Sequence, residues 1–146
     1  MKKNYSDAEL VPSLWFPLVK KFYQEHYPSG KPNKADPIWV IRDNNKIVCS
    51  LRLKQLDQAQ LLTAMVTEPS YRNKGLGGHL IKCLHDELSK QASYCFALTP
   101  LVPFYTHNGF TRILPKELPA TLLGRFKAYQ AQGRNITPML YKQPNL

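Results

Sequence analysis

Two rhythms of apolar and polar residues run along this chain. Leu10, Leu14, Leu18 and Phe22 recur every four positions, with Val11, Trp15 and Val19 beside them. That spacing predicts a helix within Asp7–His26 with this set as its buried face. Pro12 is compatible only with the start of such a helix, and Pro17 is expected to kink or split it. Tyr27 to Pro37 is rich in Pro, Gly, Lys and Asn and reads as a loop. Ile38 to Arg42 is a β-rich run, Asp43-Asn44-Asn45 a turn, and Lys46 to Lys54 a second strand, which together predict a hairpin. After a turn at Asp57 to Ala59, Gln60 to Thr67 is read as a third strand, although Leu61, Leu62, Ala64 and Met65 also suit a helix.

The helical rhythm is clearest over Leu76 to Gln91. Leu80, Ile81, Leu84 and Leu88 mark an inner face, and Lys82, Asp86, Glu87 and Lys90 an outer one. Then come a short apolar strand at Tyr94 to Leu98, a short helix at Pro103 to Asn108 stopped by Asn108-Gly109, and a strand at Phe110 to Leu114. A helix follows at Leu118 to Gln132, with Leu122, Phe126 and Tyr129 spaced helically, and a last strand at Ile136 to Tyr141. Pro138 argues that this strand lies at an edge or begins late. The order predicts one α/β layered domain over residues 1–146 with a mixed sheet.

Composition narrows the class. At 146 residues, 43% of them hydrophobic, the chain can bury a substantial core. No apolar run approaches the roughly 18 residues of a membrane span. Two lysines near the N-terminus are followed by polar residues rather than an apolar core, so no secretory signal is read and the cytoplasm is the expected compartment. Cys49, Cys83 and Cys95 form no C-x-x-C and lie in apolar surroundings, which predicts buried, reduced, structural thiols. The net charge of +10 calls for an anionic partner or a solvated basic surface. Lys and Arg are dispersed, so a basic tail for nucleic acid is not indicated.

The chemistry concentrates in Val66-Thr67-Glu68-Pro69-Ser70-Tyr71-Arg72-Asn73-Lys74-Gly75-Leu76-Gly77-Gly78-His79-Leu80. A glycine-rich turn from strand to helix exposes backbone N–H groups to an anion, and the helix dipole adds attraction. Arg72 and Lys74 add positive charge. A pyrophosphate cradle and a tight turn with glycines for packing both stand on these residues. The mononucleotide loop fails, because no Gly-Lys-Ser/Thr follows. The dinucleotide motif fails, because Leu80 stands where it needs glycine or alanine.

Arg72-x-x-Gly75-x-Gly77 fits the pattern [QR]-x-x-G-x-[GA], and Pro103-Phe104-Tyr105-Thr106-His107-Asn108-Gly109-Phe110 fits Phe-Tyr-x-x-x-Gly-Phe. With these two blocks the sequence resembles the GNAT superfamily of acetyl-CoA-dependent N-acetyltransferases, most closely over Ile38 to Phe110. No first strand is evident before Ile38. The resemblance implies a mixed, mostly antiparallel sheet splayed in the middle, with helices on both faces. It implies a bulge at about Met65 to Thr67, where backbone groups of Met65, Val66 and Thr67 would hold the pantetheine arm of acetyl-CoA. Asn73, Lys74, Gly75, Leu76, Gly77 and Gly78 would hold its pyrophosphate, with Arg72 and His79 close by. Thr67 stands where the family commonly has Val.

The implied chemistry is attack by a neutral amine on the thioester carbonyl. The departing thiolate benefits from a proton, and Tyr105 matches the family's usual general acid, or else packs between Phe104 and Phe110. Glu68 is a candidate base, directly or through water, or else a solvated carboxylate before a turn. None of His26, His79, His85 and His107 shows zinc-ligand spacing such as H-x-x-x-H, and no metal is expected. The expected partners are acetyl-CoA and an amine acceptor, with no specific nucleic acid and no membrane, in a monomer or homodimer. The alternative is a non-enzymatic basic α/β module that binds an anion or nucleic acid.

Overall fold

A computed structural model describes residues 5–142 of the chain. Seven strands form one sheet in the order β1-β2-β3-β4-β5-β7-β6. They are β1 (Glu9–Leu10), β2 (Ile38–Asp43), β3 (Lys46–Leu56), β4 (Ala59–Thr67), β5 (Ala92–Leu98), β6 (Phe110–Arg112) and β7 (Ile136–Tyr141). All neighbours are antiparallel except β4 and β5. The helices are α1 (Phe16–His26), α2 (Leu76–Cys83), α3 (His85–Ser89), α4 (Val102–His107) and α5 (Ala120–Ala131). Among the described residues no helix is long and apolar enough to cross a membrane.

The hairpin β2–β3 turns at Asn44 (φ 57°) and β3–β4 at Gln58 (φ 60°). Successive residues of a strand face opposite sides of the sheet, and this separates the core into layers. Leu62 and Cys95 join Leu80, Ile81, Leu84 and Leu88 of the α2–α3 segment on one face. Leu61 and Tyr94 join Leu122 and Phe126 of α5 on the other. Val19, Phe22 and Tyr23 of α1 pack on Val40, Ala64 and Val66. The mixed sheet with helices on both faces matches the sequence reading.

Four expectations are corrected. The first helix starts only at Phe16, with Pro17 in its first turn, so Leu10 and Leu14 fall outside it. Leu10, Leu14 and Leu18 are exposed, and the buried face is Val19, Phe22 and Tyr23. A first strand does precede Ile38: β1 is two residues long, too short for a period-two signal. The long helix breaks at Leu84 (φ −93°, ψ 14°) into α2 and α3, although its inner face is as expected. Finally, β7 is not an edge strand. The Pro138 carbonyl accepts from the Ile113 amide, just past the end of β6. A residue's nitrogen and carbonyl face the same side of a strand, so the missing N–H falls where β6 has already ended.

Candidate functional site

The site begins as a gap in the sheet. β4 and β5 pair only from Ala59↔Ala92 to Leu62↔Cys95. Beyond that point β4 runs on to Thr67 with β3 on one side and, among the described residues, no strand on the other. The divergence coincides with a bulge. Arg52 pairs with Thr63 and Ser50 with Val66, so Ala64 and Met65 together face the single Leu51. The bulge therefore sits slightly earlier than Met65 to Thr67.

Ala64 takes φ 54°, a left-handed conformation that is costly for a residue with a Cβ. It is held from α1. The Tyr23 hydroxyl donates to the Ala64 carbonyl oxygen at 2.9 Å and lies 2.9 Å from Ser50 Oγ. Tyr23 and Ser50 are both fully buried. Sequence reasoning missed this clamp, because its partners are 27 and 41 residues from Tyr23.

The turn after β4 leads into α2 at the mouth of the gap. Asn73 (φ 64°) and Gly75 (φ 79°) are both left-handed, and no side chain caps the helix at Gly75. The amides of Lys74, Gly75, Leu76, Gly77 and Gly78 have no acceptor among the described residues. The first helical bond runs from the His79 amide to the Gly75 carbonyl, 3.0 Å. The His79 amide, which lies beyond the expected cradle of Asn73 to Gly78, is thus taken up by the helix. Arg72 folds back, its Nε 3.2 Å from the Thr67 carbonyl oxygen. Lys74 Nζ lies 5.6 Å from the centre of the Tyr71 ring.

Gly77 has a packing role as well. A Cβ there would lie 3.0 Å from Met65 Cε and 3.2 Å from Phe104 Cζ. The two readings of these glycines thus coexist: Gly75 supplies the turn, and Gly77 lets β4 and α4 close around the helix start. Five amides from Lys74 to Gly78, without an acceptor among the described residues and set at the start of α2, fit a pyrophosphate with Arg72 and Lys74 beside them.

Tyr105 rises on α4 from the far side of the gap. Its ring meets those of Phe104 (5.1 Å) and Phe110 (5.7 Å) edge to face. It is buried, and its hydroxyl has no protein hydrogen-bond partner among the described residues. Burial, with smaller contributions from Cys95 and Tyr27, pushes the phenol pKa upward. The ring thus does pack between its neighbours, and the hydroxyl stays free for a ligand.

Glu68 is buried just past β4. It accepts from Ser70 Oγ at 2.6 Å and pairs with Lys46 Nζ at 2.9 Å, with His26 Nε2 at 3.8 Å. Burial raises its pKa, but the bonds from Ser70 and Lys46 and the nearby charges outweigh this and hold the carboxyl below its ordinary value. The expected solvated carboxylate is therefore a buried, partnered one.

Thr67 Oγ1 lies 3.3 Å from Cys49 Sγ. Cys49 and Cys95 are buried free thiols as expected, whereas Cys83 is exposed on the outer side of α2. Its neighbours Leu80, Ile81 and Leu84 take the inner positions.

A family model described as an acetyltransferase (GNAT) domain matches residues 34–112. No curated protein matches the sequence. Among solved structures, N-acetylglutamate synthase from Neisseria gonorrhoeae, complexed with coenzyme A and N-acetyl-glutamate, is similar with a TM-score of 0.74 at 14% identity. The match covers 99% of this chain but 36% of that one, so the chain spans about a third of that enzyme's length. Arabidopsis thaliana Naa50, in complex with the bisubstrate analogue CoA-Ac-MVNAL, gives 0.67 at 17% identity, covering 96% of this chain and 99% of that one. The Escherichia coli ribosomal-protein-S18-alanine N-acetyltransferase gives 0.64 at 14% identity over 97% and 96%. At such identities the likeness is one of fold.

Proposed function

This chain belongs to the GNAT acetyltransferase family, and on that premise we propose that it transfers an acetyl group from acetyl-CoA to a primary amine by direct attack in a ternary complex. The observation that carries the reading is the meeting, across one gap, of an uncapped helix start and a buried phenol with no hydrogen-bond partner among the described residues. The amides from Lys74 to Gly78 bind the pyrophosphate, and the side chains of Arg72 and Lys74 add charge. The free edge of β4 at Met65, Val66 and Thr67 hydrogen-bonds the pantetheine arm and aims the thioester at the gap.

In the transfer, a nitrogen–carbon bond forms and the carbon–sulfur bond breaks. Tyr105 gives its proton to the departing sulfur. Because burial favours the neutral phenol, that proton is in place through neutral and mildly basic pH. Glu68 serves as the expected base, through water: the bonds from Ser70 and Lys46 that lower its pKa keep the carboxylate ionised, and it draws the amine's proton through a bridging water. The acceptor is an amine, and the co-substrate needs no metal.

The deciding experiment is acetyl-CoA turnover across a panel of small amines, amino acids and peptides, read as release of free thiol. Amine-dependent thiol release is expected, with a raised thermal midpoint in coenzyme A. No midpoint shift and no calorimetric heat at millimolar coenzyme A refutes the reading.

A further inference from the structure

We propose that Asp7, His79 and Cys83 form a three-ligand site for a divalent cation of the zinc class. His79 and Cys83 stand four residues apart on the exposed side of α2, one helical turn from each other. Asp7 comes from the segment before β1. That segment is anchored: the Ser6 amide donates to the Arg42 carbonyl at 2.8 Å, and Ser6 Oγ accepts from the Arg42 amide at 2.9 Å. His79 Nε2 lies 3.3 Å from Asp7 Oδ1 and 3.5 Å from Cys83 Sγ. All three ligand atoms lie within 4.8 Å of one another.

The N···O and N···S separations are those of a tetrahedral ion. Bonds of about 2.0–2.1 Å to oxygen and nitrogen and about 2.3 Å to sulfur give edges of roughly 3.3 Å for N···O and roughly 3.5 Å for N···S. A Cys-His-Asp relay does not fit the same atoms. A relay needs thiol and carboxylate on different ring nitrogens, whereas here both approach Nε2. One nitrogen carries one proton or one lone pair and serves one partner, while an ion at their meeting point serves all three.

Four of the other thiols and imidazoles are placed elsewhere. Cys49 lies against Thr67, Cys95 is buried, His85 Nδ1 meets the Tyr141 hydroxyl at 2.8 Å, and His26 faces Glu25 and Glu68. Among the described residues no second group of three such side chains converges in this way. The expectation of no metal rested on the absence of H-x-x-x-H, and His79-x-x-x-Cys83 has that spacing with a thiol in the second place.

All three side chains are exposed, which leaves the fourth position to water. A metal–sulfur bond forms as the S–H bond breaks, the thiol proton passes to buffer, and no oxidation state changes. Thiolate and carboxylate together neutralise a doubly charged ion. The ion ties the Asp7 segment to the first turns of α2.

The test uses the untagged full-length chain, reduced and stripped of metal, titrated with Co²⁺ and then Zn²⁺. One Co²⁺ per chain is expected, with tetrahedral absorption and a thiolate-to-cobalt charge-transfer band that Zn²⁺ abolishes. Cys83→Ser removes the band. Asp7→Asn keeps it but weakens binding by at least about tenfold, since even an outer hydrogen-bond partner of a ligand is worth roughly 10- to 100-fold. Both positions are exposed, so thermal midpoints of the metal-free variants should match the parent's. A parent protein with no charge-transfer band at one equivalent overturns the proposal. So does a band that survives Cys83→Ser, or an affinity unchanged in Asp7→Asn.

Discussion

Replacing Tyr23 with phenylalanine tests whether the bulge in β4 is held from α1. The change keeps the ring among Val19, Phe22 and Val40 and removes only the hydroxyl. That hydroxyl has one proton, which goes to the Ala64 carbonyl, so Ser50 must donate to Tyr23 rather than the reverse. In Tyr23→Phe the Ser50 hydroxyl is left buried without its acceptor, and the Ala64 carbonyl loses a donor. Orphaning a buried polar group costs about 1–3 kcal/mol, so about 2 kcal/mol is expected. For a domain of this size that is a fall of about 4–8 °C in Tm. Urea unfolding gives the free energy, and a double-mutant cycle with Ser50→Ala isolates the cause. With Ser50 already gone, Tyr23→Phe leaves no orphaned donor, so the double variant should be no less stable than Tyr23→Phe alone. Coenzyme A should bind several-fold more weakly to Tyr23→Phe, because Ala64 loses the contact that keeps it left-handed beside Met65. Strict additivity, or an unchanged urea midpoint, would sink the clamp.

Tyr105→Phe should lower kcat by about 10²-fold, the lower end of what general acids contribute, with coenzyme A affinity little changed; an unchanged kcat where chemistry limits the rate would make the hydroxyl structural. Gly77→Val should push Met65 and Phe104 apart and cut coenzyme A affinity at least about tenfold while unfolding stays cooperative; normal binding would misplace the cradle. Glu9, bonded twice by Arg42 at 2.8 Å, and Glu68 both have pKa values below the ordinary 4.5. Their stabilisation is therefore complete above that value and lost as pH falls through the lower folded values. Between about pH 5 and pH 3 the parent should lose more stability than a Glu9→Gln/Glu68→Gln variant, and parallel curves from urea melts would contradict the shifts.

Elements built on local contacts were legible in the sequence, and those built on distant ones were not. Leu80, Ile81, Leu84 and Leu88 report their own inner face because a helix repeats within four residues. The hairpin turns at Asn44 and Gln58 lie between strands that pair directly. The face of α1 was misread because the helix begins only at Phe16, which leaves Leu10 and Leu14 outside it and Leu18 on its exposed side. The position of β7 was misread because the rule for Pro138 concerns a strand's neighbours, and β6 stops just short of it. The Tyr23–Ser50–Ala64 clamp and the Asp7–His79 contact, 72 residues apart, leave no mark on any local pattern.

The candidate site was legible for a topological reason. β4 and β5 are the one parallel pair among the described strands, and a parallel pair needs a crossover. Here the α2–α3 segment supplies it, so the start of α2 must lie at the C-terminal end of β4. The chain leaving the C-terminal end of β5 starts α4 on the same side of the sheet, which brings Tyr105 to the same gap. Two loops that leave adjacent parallel strands at the same end face each other, and ligands of open α/β sheets bind at such ends. The glycine turn and the Phe-Tyr block are about thirty residues apart in sequence, yet one parallel pairing suffices to set them across a common opening. The bulge at Ala64 then widens that opening, because it ends the β4–β5 ladder after Leu62 and frees the β4 edge from Thr63 to Thr67. A variant that restored the regular register, by deleting one residue at Ala64–Met65, would zip the strands closer and should abolish coenzyme A binding even with every residue from Arg72 to Gly78 intact.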